Sequence, residues 1–97
     1  MNFLELKEQF ESKLKDNFKF ELLELHYAPY AFGSGLTAYR ITGRNVKVIY
    51  DGRESQVQFC VSSNHDKYAN ASWTTIFIGT PTDFIENGLD KLHNEIE

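Results

Sequence analysis

The side chains best suited to catalysis or metal binding are few in this chain and lie far apart. There are three histidines, His26, His65 and His93, and one cysteine, Cys60. Zinc sites draw on His and Cys residues a few positions apart, as in His-x-x-x-His or Cys-x-x-Cys. None of these four residues forms such a pair, so we predict neither a metal nor a cofactor.

Nucleophilic and acid–base chemistry find little more support. Cys60 would need a nearby base and a lowered pKa to react, and its place in an apolar strand is typical of a small hydrophobic residue. Asp51 and Glu54 could do acid–base work only if burial separated their pKa values, and we expect both at a hydrated hairpin tip. The segment FGSG at 32–35 lacks the Gly-Lys-Ser/Thr ending of a phosphate-binding loop. These residues favour binding over catalysis.

One segment keeps a small-ligand or enzymatic domain as an alternative. The sequence HYAPYAFGSG, from His26 to Gly35, combines a histidine with exposed-loop residues and three rings. Loops carry binding and catalytic groups more often than cores do. Tyr30 and Phe32 are therefore candidate binding residues, with His26 or His65 as the group for any chemistry; alternatively, the rings fold back over the core.

Composition indicates one globular domain spanning residues 1–97. Hydrophobic residues make up 41% of the chain and aromatic residues 14%, enough for a packed core. The net charge is −4, which argues against nucleic acid and anionic membranes as partners. A single cysteine excludes an internal disulfide, and no apolar run is long enough to cross a membrane. We therefore expect a cytoplasmic protein that does not bind a membrane.

Hydrophobic spacing predicts a helix at each end with strands between them. Phe3, Leu6, Phe10 and Leu14 form the stripe of the first helix. Thr80 resembles an N-cap followed by Pro81. The predicted elements are a helix at 1–18, strands at 18–27, 36–41, 46–50, 54–62 and 72–79, and a helix to 96 with the stripe Ile85, Leu89, Leu92 and Ile96. Two amphipathic helices must cover one sheet face, so we predict an α+β two-layer sandwich with an antiparallel sheet of four to five strands.

Alternation along the hairpins sorts their side chains between two faces. Asp51-Gly52 is a strong hairpin signal, and a loop of two or four residues leaves each side chain on the same face. The face predicted to lie under the helices holds Tyr39, Ile41, Val46, Val48, Tyr50, Val57, Phe59 and Val61.

The opposite face is predicted to be mixed and exposed. It holds Leu36, Ala38, Arg40, Lys47, Ile49, Glu54, Gln56, Gln58 and Cys60. A turn over Thr42–Asn45 would place Arg40 directly opposite Lys47, with Arg44 and Arg53 widening the basic patch from the hairpin ends. The two positively charged side chains either extend apart into water or bind an acidic partner.

These observations predict a small protein-interaction module that binds through the opposite face, the 26–35 loop, or both. The candidate binding residues are Arg40, Lys47, Ile49, Gln56, Gln58, Arg44, Arg53, Tyr30 and Phe32. A second copy of the chain is one candidate partner. Binding of nucleic acid or another anion through Arg40, Arg44, Lys47 and Arg53 is the alternative from a different class, and the negative net charge weighs against it.

Overall fold

Five antiparallel strands, in sequence order, form one open sheet with a helix from each end of the chain on one face. The computed structural model describes residues 1–63 and 67–96, so His65 lies outside the described residues. The elements are α1 (Phe3–Asn17), β1 (Phe20–Ala28), β2 (Ser34–Ile41), β3 (Arg44–Asp51), β4 (Gln56–Ser62), a 3-10 turn (Tyr68–Asn70), β5 (Trp73–Gly79) and α2 (Pro81–Ile96). The predicted α+β sandwich is confirmed.

Helix α1 begins where its cap predicts. The Asn2 side chain accepts a hydrogen bond from the Glu5 backbone N–H at 2.9 Å and donates one to the Glu5 carboxylate at 2.9 Å. This satisfies a backbone donor that the first turn leaves without a helical partner. All four predicted stripe residues, Phe3, Leu6, Phe10 and Leu14, are buried.

Helix α2 also begins at its predicted cap, but its buried stripe is rotated from the prediction. Thr80 Oγ1 accepts from the Asp83 backbone N–H at 3.2 Å. The fully buried centre of the stripe is Phe84 with Leu92, while the predicted Ile85 and Leu89 lie only half-buried beside it. The benzyl group of Phe84 fills more of the core than a branched aliphatic side chain would, which explains the rotation.

Gly88 lies on the buried side of α2. A Cβ added there would lie 2.8 Å from the ring of Phe84, one turn earlier on the same helix. The missing side chain therefore makes room for Phe84.

The face under the helices is the predicted one. Val48 is 2% exposed and Phe59 is 0% exposed. The complete predicted set is buried there: Tyr39, Ile41, Val46, Val48, Tyr50, Val57, Phe59 and Val61. Alternation alone therefore assigned the faces of the three central strands correctly.

The turn between β2 and β3 is shorter than predicted. Thr42 and Gly43 alone connect the strands, both with positive φ (51° and 78°). The prediction that Arg40 lies opposite Lys47 is therefore wrong. Arg40 pairs with Asn45, and Lys47 pairs with Ala38. The two-residue shift keeps every side chain on its predicted face.

The turn between β3 and β4 has four residues, 52–55, because Asp51 pairs with Gln56. The Asp51 carboxylate accepts from the backbone N–H groups of Arg53 (3.0 Å) and Glu54 (3.3 Å). The Asp51 side chain therefore stabilises this four-residue turn, whereas Asp-Gly on its own favours a two-residue turn.

The two helices run in the same direction across the sheet. Phe10 contacts Phe84 with ring centroids 4.9 Å apart, and Phe18, directly after α1, contacts His93 near the end of α2 at 4.8 Å. The early part of one helix therefore pairs with the early part of the other, and the late part with the late part, as in a parallel arrangement.

Candidate functional site

Beneath the chain segment 67–73, the face opposite the helices is less exposed than predicted. Ala38 is 0% exposed and Cys60 is 2% exposed, although both lie on this face. The Nζ of Lys47 lies 4.3 Å from the ring centroid of Trp73. The Trp73 ring in turn contacts the ring of Tyr68 at 6.0 Å. The middle of the face is therefore covered rather than free for a partner.

A polar cluster joins this segment to β1. The Tyr68 hydroxyl donates to the carboxylate of Glu24, which also contacts Nε2 of His26. These two hydrogen bonds, that of Tyr68 first, lower the pKa of the Glu24 carboxyl below 4.5. Desolvation, followed by the bond to Glu24, raises the pKa of Tyr68 to about 12. The cluster holds an ionised carboxylate beside a neutral phenol and fastens the segment to the sheet.

The four cations predicted to form an anion site are not brought together. Arg40 donates to the side chain of Asn45 at 3.0 Å on the opposite face. Arg44 lies on the helix side, where it donates to the carbonyl of Ser62 (2.9 and 2.6 Å) and to that of Glu95 (2.5 Å). The latter bond places a cation at the C-terminal end of α2, a favourable position for the helix dipole. The prediction that Arg44 widens the Arg40 patch is therefore wrong.

Arg53 lies at the other end of the sheet, in the turn after β3. Its guanidinium lies 5.8 Å from the ring centroid of Phe32. The neighbouring Gly52 donates to Ser34 Oγ at 2.9 Å, and a Cβ on Gly52 would lie 1.9 Å from the Phe32 carbonyl oxygen. The β1–β2 loop (29–33) and the β3–β4 turn are thus packed together as one unit.

The remaining predicted binding residues occupy the uncovered part of the opposite face. Ile49 pairs with Gln58 between β3 and β4, and both are half-buried. Gln58 donates to Thr75 Oγ1 at 2.8 Å, and Gln56 is exposed at the start of β4. These residues form a surface of mixed polar and apolar side chains. It lies between the part of the sheet under the segment 67–73 and the packed unit of the β1–β2 loop and the β3–β4 turn.

Exposed large hydrophobic side chains concentrate within residues 1–32 of the chain. Of the eight large ones in the described residues, seven follow the N-terminal turn of α1, strand β1 and the loop after it, and one, Ile78, lies on β5. The seven, which we call the hydrophobic border, are Met1, Leu4, Leu22, Leu25, Tyr27, Tyr30 and Phe32.

Helix geometry and one ring contact place two parts of the border close to β1. Lys13 donates to the carbonyl of Ile85 on α2 at 2.6 Å. Leu4 is nine residues from Lys13 and thus, at ~100° per residue, on the opposite flank of α1, toward β1. Phe3 stacks on Tyr27 with centroids 5.7 Å apart. Of the border residues, only Tyr30 and Phe32 were predicted from sequence to bind a partner. Alternation did not identify the others as exposed, because it does not reveal which strand lies at the edge of the sheet.

An open depression of about 330 Å³ adjoins the border. Its lining includes His26, Tyr27 and Tyr30 from the border region and Leu36 and Ile49 from the opposite face. The depression therefore links the loop and the uncovered part of the opposite face, the two surfaces predicted for binding.

Within residues 1–63 and 67–96, no three His, Cys, Asp or Glu side chains are grouped so as to hold a metal ion. In the same described part, neither helix has the length and apolar character needed to span a membrane. No known family model, curated protein or solved structure matches this chain.

Proposed function

We propose that this chain is a protein-binding module and that the hydrophobic border is its docking surface. The observation that carries the proposal is that seven of the eight exposed large hydrophobic side chains in the described residues belong to the N-terminal end of α1, to β1 and to the loop after it. Single exposed apolar side chains are ordinary, whereas a contiguous apolar patch is typical of an interaction site.

The composition of the border also suits a protein partner. Tyr27, Tyr30 and Phe32 supply aromatic anchors, which are enriched among the residues that dominate binding energy. The exposed Glu21 and His26 on β1 and the Lys7–Glu11 ion pair on α1 provide a polar rim. An apolar centre with a polar rim is the usual anatomy of a protein interface.

Two contacts hold the aromatic anchors in place before binding. Tyr27 is stacked on Phe3, which is itself buried. Phe32 lies beneath Arg53, and its carbonyl is packed against Gly52. Anchors that are already ordered lose less conformational entropy on association. The adjoining depression, with a volume of about 330 Å³, is large enough to receive a side chain of the partner.

The other surfaces support this function less well. The middle of the opposite face is covered by Trp73 and Tyr68, and its Lys47 is already engaged. The predicted anion site would need Arg44 and Arg53, which lie at opposite ends of β3. We place the binding in the cytoplasm, because the single cysteine is a buried thiol, as suits a reducing compartment.

Affinity capture with a matched pair of variants tests the proposal. Leu25→Lys introduces a charge on the border, where Leu25 is 46% exposed, and Ile78→Lys makes the same change on β5, where Ile78 is 57% exposed. We expect bound proteins to be retained by wild type and Ile78→Lys and lost by Leu25→Lys. Retention of the same proteins by a folded Leu25→Lys variant would contradict the proposal.

A further inference from the structure

We infer that the partner is a second copy of this chain, joined through antiparallel pairing of β1 with β1 to make a continuous ten-stranded sheet. The inference rests on the proposed function, since it names the occupant of the same border. Among residues 1–63 and 67–96, strand β1 pairs with β2 and with no other strand. Over its nine residues, alternate backbone N–H and C=O groups point away from β2, as is general for an edge strand.

A bulge in β1 determines which of its side chains point to each face of the sheet. The register with β2 shifts between Leu22 and Glu24, so Leu23 is the extra residue. Leu22 pairs with the covered-face residue Tyr39, and Glu24 pairs with Ala38 of the opposite face. Four residues of β1 therefore share the helix side, Phe20, Leu22, Leu25 and Tyr27, and four share the other side, Glu21, Glu24, His26 and Ala28.

One two-fold register matches these faces on both sides of the bulge. With the axis between Leu23 and Glu24, Leu22 lies opposite Leu25 of the second copy, on the helix side in both. In the same register Phe20 lies opposite Tyr27 of the second copy, so large apolar side chains pair on both sides of the axis. Such cross-strand pairs are the main source of stability between strands.

A polar cross-strand pair favours the same register. Glu21 lies opposite His26 of the second copy on the other face, and the symmetry makes this pair twice. The side chain of His26 is 70% exposed, and its Nε2 contacts Glu24 of its own chain. The two Glu24 carboxylates approach near the axis and repel each other, although each already contacts Tyr68 and His26. We therefore expect a dimer that depends on protein concentration.

The other edge strand is a poorer match for β1. Strand β5, WTTIFIG, has no charged residue to face Glu21 and Glu24, and one exposed large hydrophobic side chain, Ile78. Pairing of β1 with β5 of a second copy would also be head-to-tail and would continue into a filament. Pairing of β1 with itself closes after two copies.

Sedimentation over protein concentrations from about 5 µM to about 1 mM tests the inference, because dimerisation follows mass action. We expect the mass to rise from 11.2 kDa toward twice that value. Leu25→Lys should abolish the rise and Ile78→Lys should preserve it. A mass fixed at 11.2 kDa, growth beyond a dimer, or a dimer lost only in Ile78→Lys would each overturn the inference.

A charge exchange tests the register itself. His26→Glu should weaken the dimer about ten-fold, because it places two carboxylates opposite one another twice. Glu21→Lys should weaken it less, because it removes the acceptor opposite His26 without creating a like-charge pair. The double variant places opposite charges at this pair and should recover most of the affinity. No recovery would overturn the register. A strict monomer that still captures other proteins through Leu25 would reject the second copy while leaving the proposed function intact.

Discussion

The two faces of this sheet obey the same alternation, yet they are covered in different ways. On the helix side, Phe84 contacts the rings of Phe10 and Phe59 at 4.9 and 5.1 Å, and all three are buried. On the opposite face, one returning segment places Tyr68 and Trp73 over the sheet through a hydrogen bond and a cation–π contact. The comparison indicates that packed rings stabilise one face and polar contacts the other, which should give very different mutational costs.

The largest expected effect is on the helix side. Phe84→Ala removes the ring that Gly88 leaves space for and should lower the free energy of unfolding by about 3–5 kcal/mol. Urea unfolding measures this, with the exposed Glu86→Ala on the same helix as the control. If Phe84→Ala does not fold, Phe84→Leu should still cost about 1–2 kcal/mol. A loss no larger than the control's would contradict the central role of this ring.

An intermediate effect is expected for Trp73→Ala on the opposite face. The change removes a half-buried ring and its contact with Lys47, and we expect a loss of about 1–2 kcal/mol in the free energy of unfolding. The same unfolding experiment measures it, and hydrogen exchange should become faster at Cys60 beneath the segment. A loss equal to that of Phe84→Ala would mean that the two faces are equally important to stability.

The smallest effect on stability is expected for Tyr68→Phe, which removes only a hydroxyl. The pKa of Glu24 should rise toward 4.5, because the bond to its charged form is lost. A carboxyl with a lowered folded-state pKa contributes stability above its unfolded pKa and loses it as the pH falls through the folded pKa. The variant should therefore lose less stability than wild type on acidification below pH 4.5.

An NMR titration of the Glu24 carboxyl carbon measures the shift. Tyr30→Phe, which changes a tyrosine that is 92% exposed, is the matched control and should leave the Glu24 titration unaltered. An unchanged Glu24 pKa in Tyr68→Phe would show that the phenol does not hold this carboxylate.

The sequence predicted the faces better than the register, for a physical reason. A turn of two or four residues conserves alternation, so the faces were insensitive to turn length. The register between β2 and β3 depended on Thr42 adopting a φ of 51°, which is costly for a β-branched residue and was not expected. At Gly52 the sequence suggested positive φ, whereas the structure requires glycine because the Phe32 carbonyl packs against it.

The candidate site was only partly predictable. Tyr30 and Phe32 stood out because they lie in a loop, and they are 92% and 68% exposed. Leu25 could not be identified from the sequence. Its exposure follows from the position of β1 at the edge of the sheet, which depends on the whole topology. Arg44 could have been placed correctly, since the alternation that puts Val46 on the helix side puts Arg44 there too.

The parallel course of α1 and α2 separates the two ends of the chain. The Tyr50 hydroxyl donates to the Met1 carbonyl at 3.1 Å, while Glu95 is bonded to Arg44, six residues away at the other end of β3. A strand of that span is roughly 20 Å long. A fluorophore or fusion partner attached at Met1 would sit on the border, whereas one attached after Ile96 would lie far from it and leave it unobstructed.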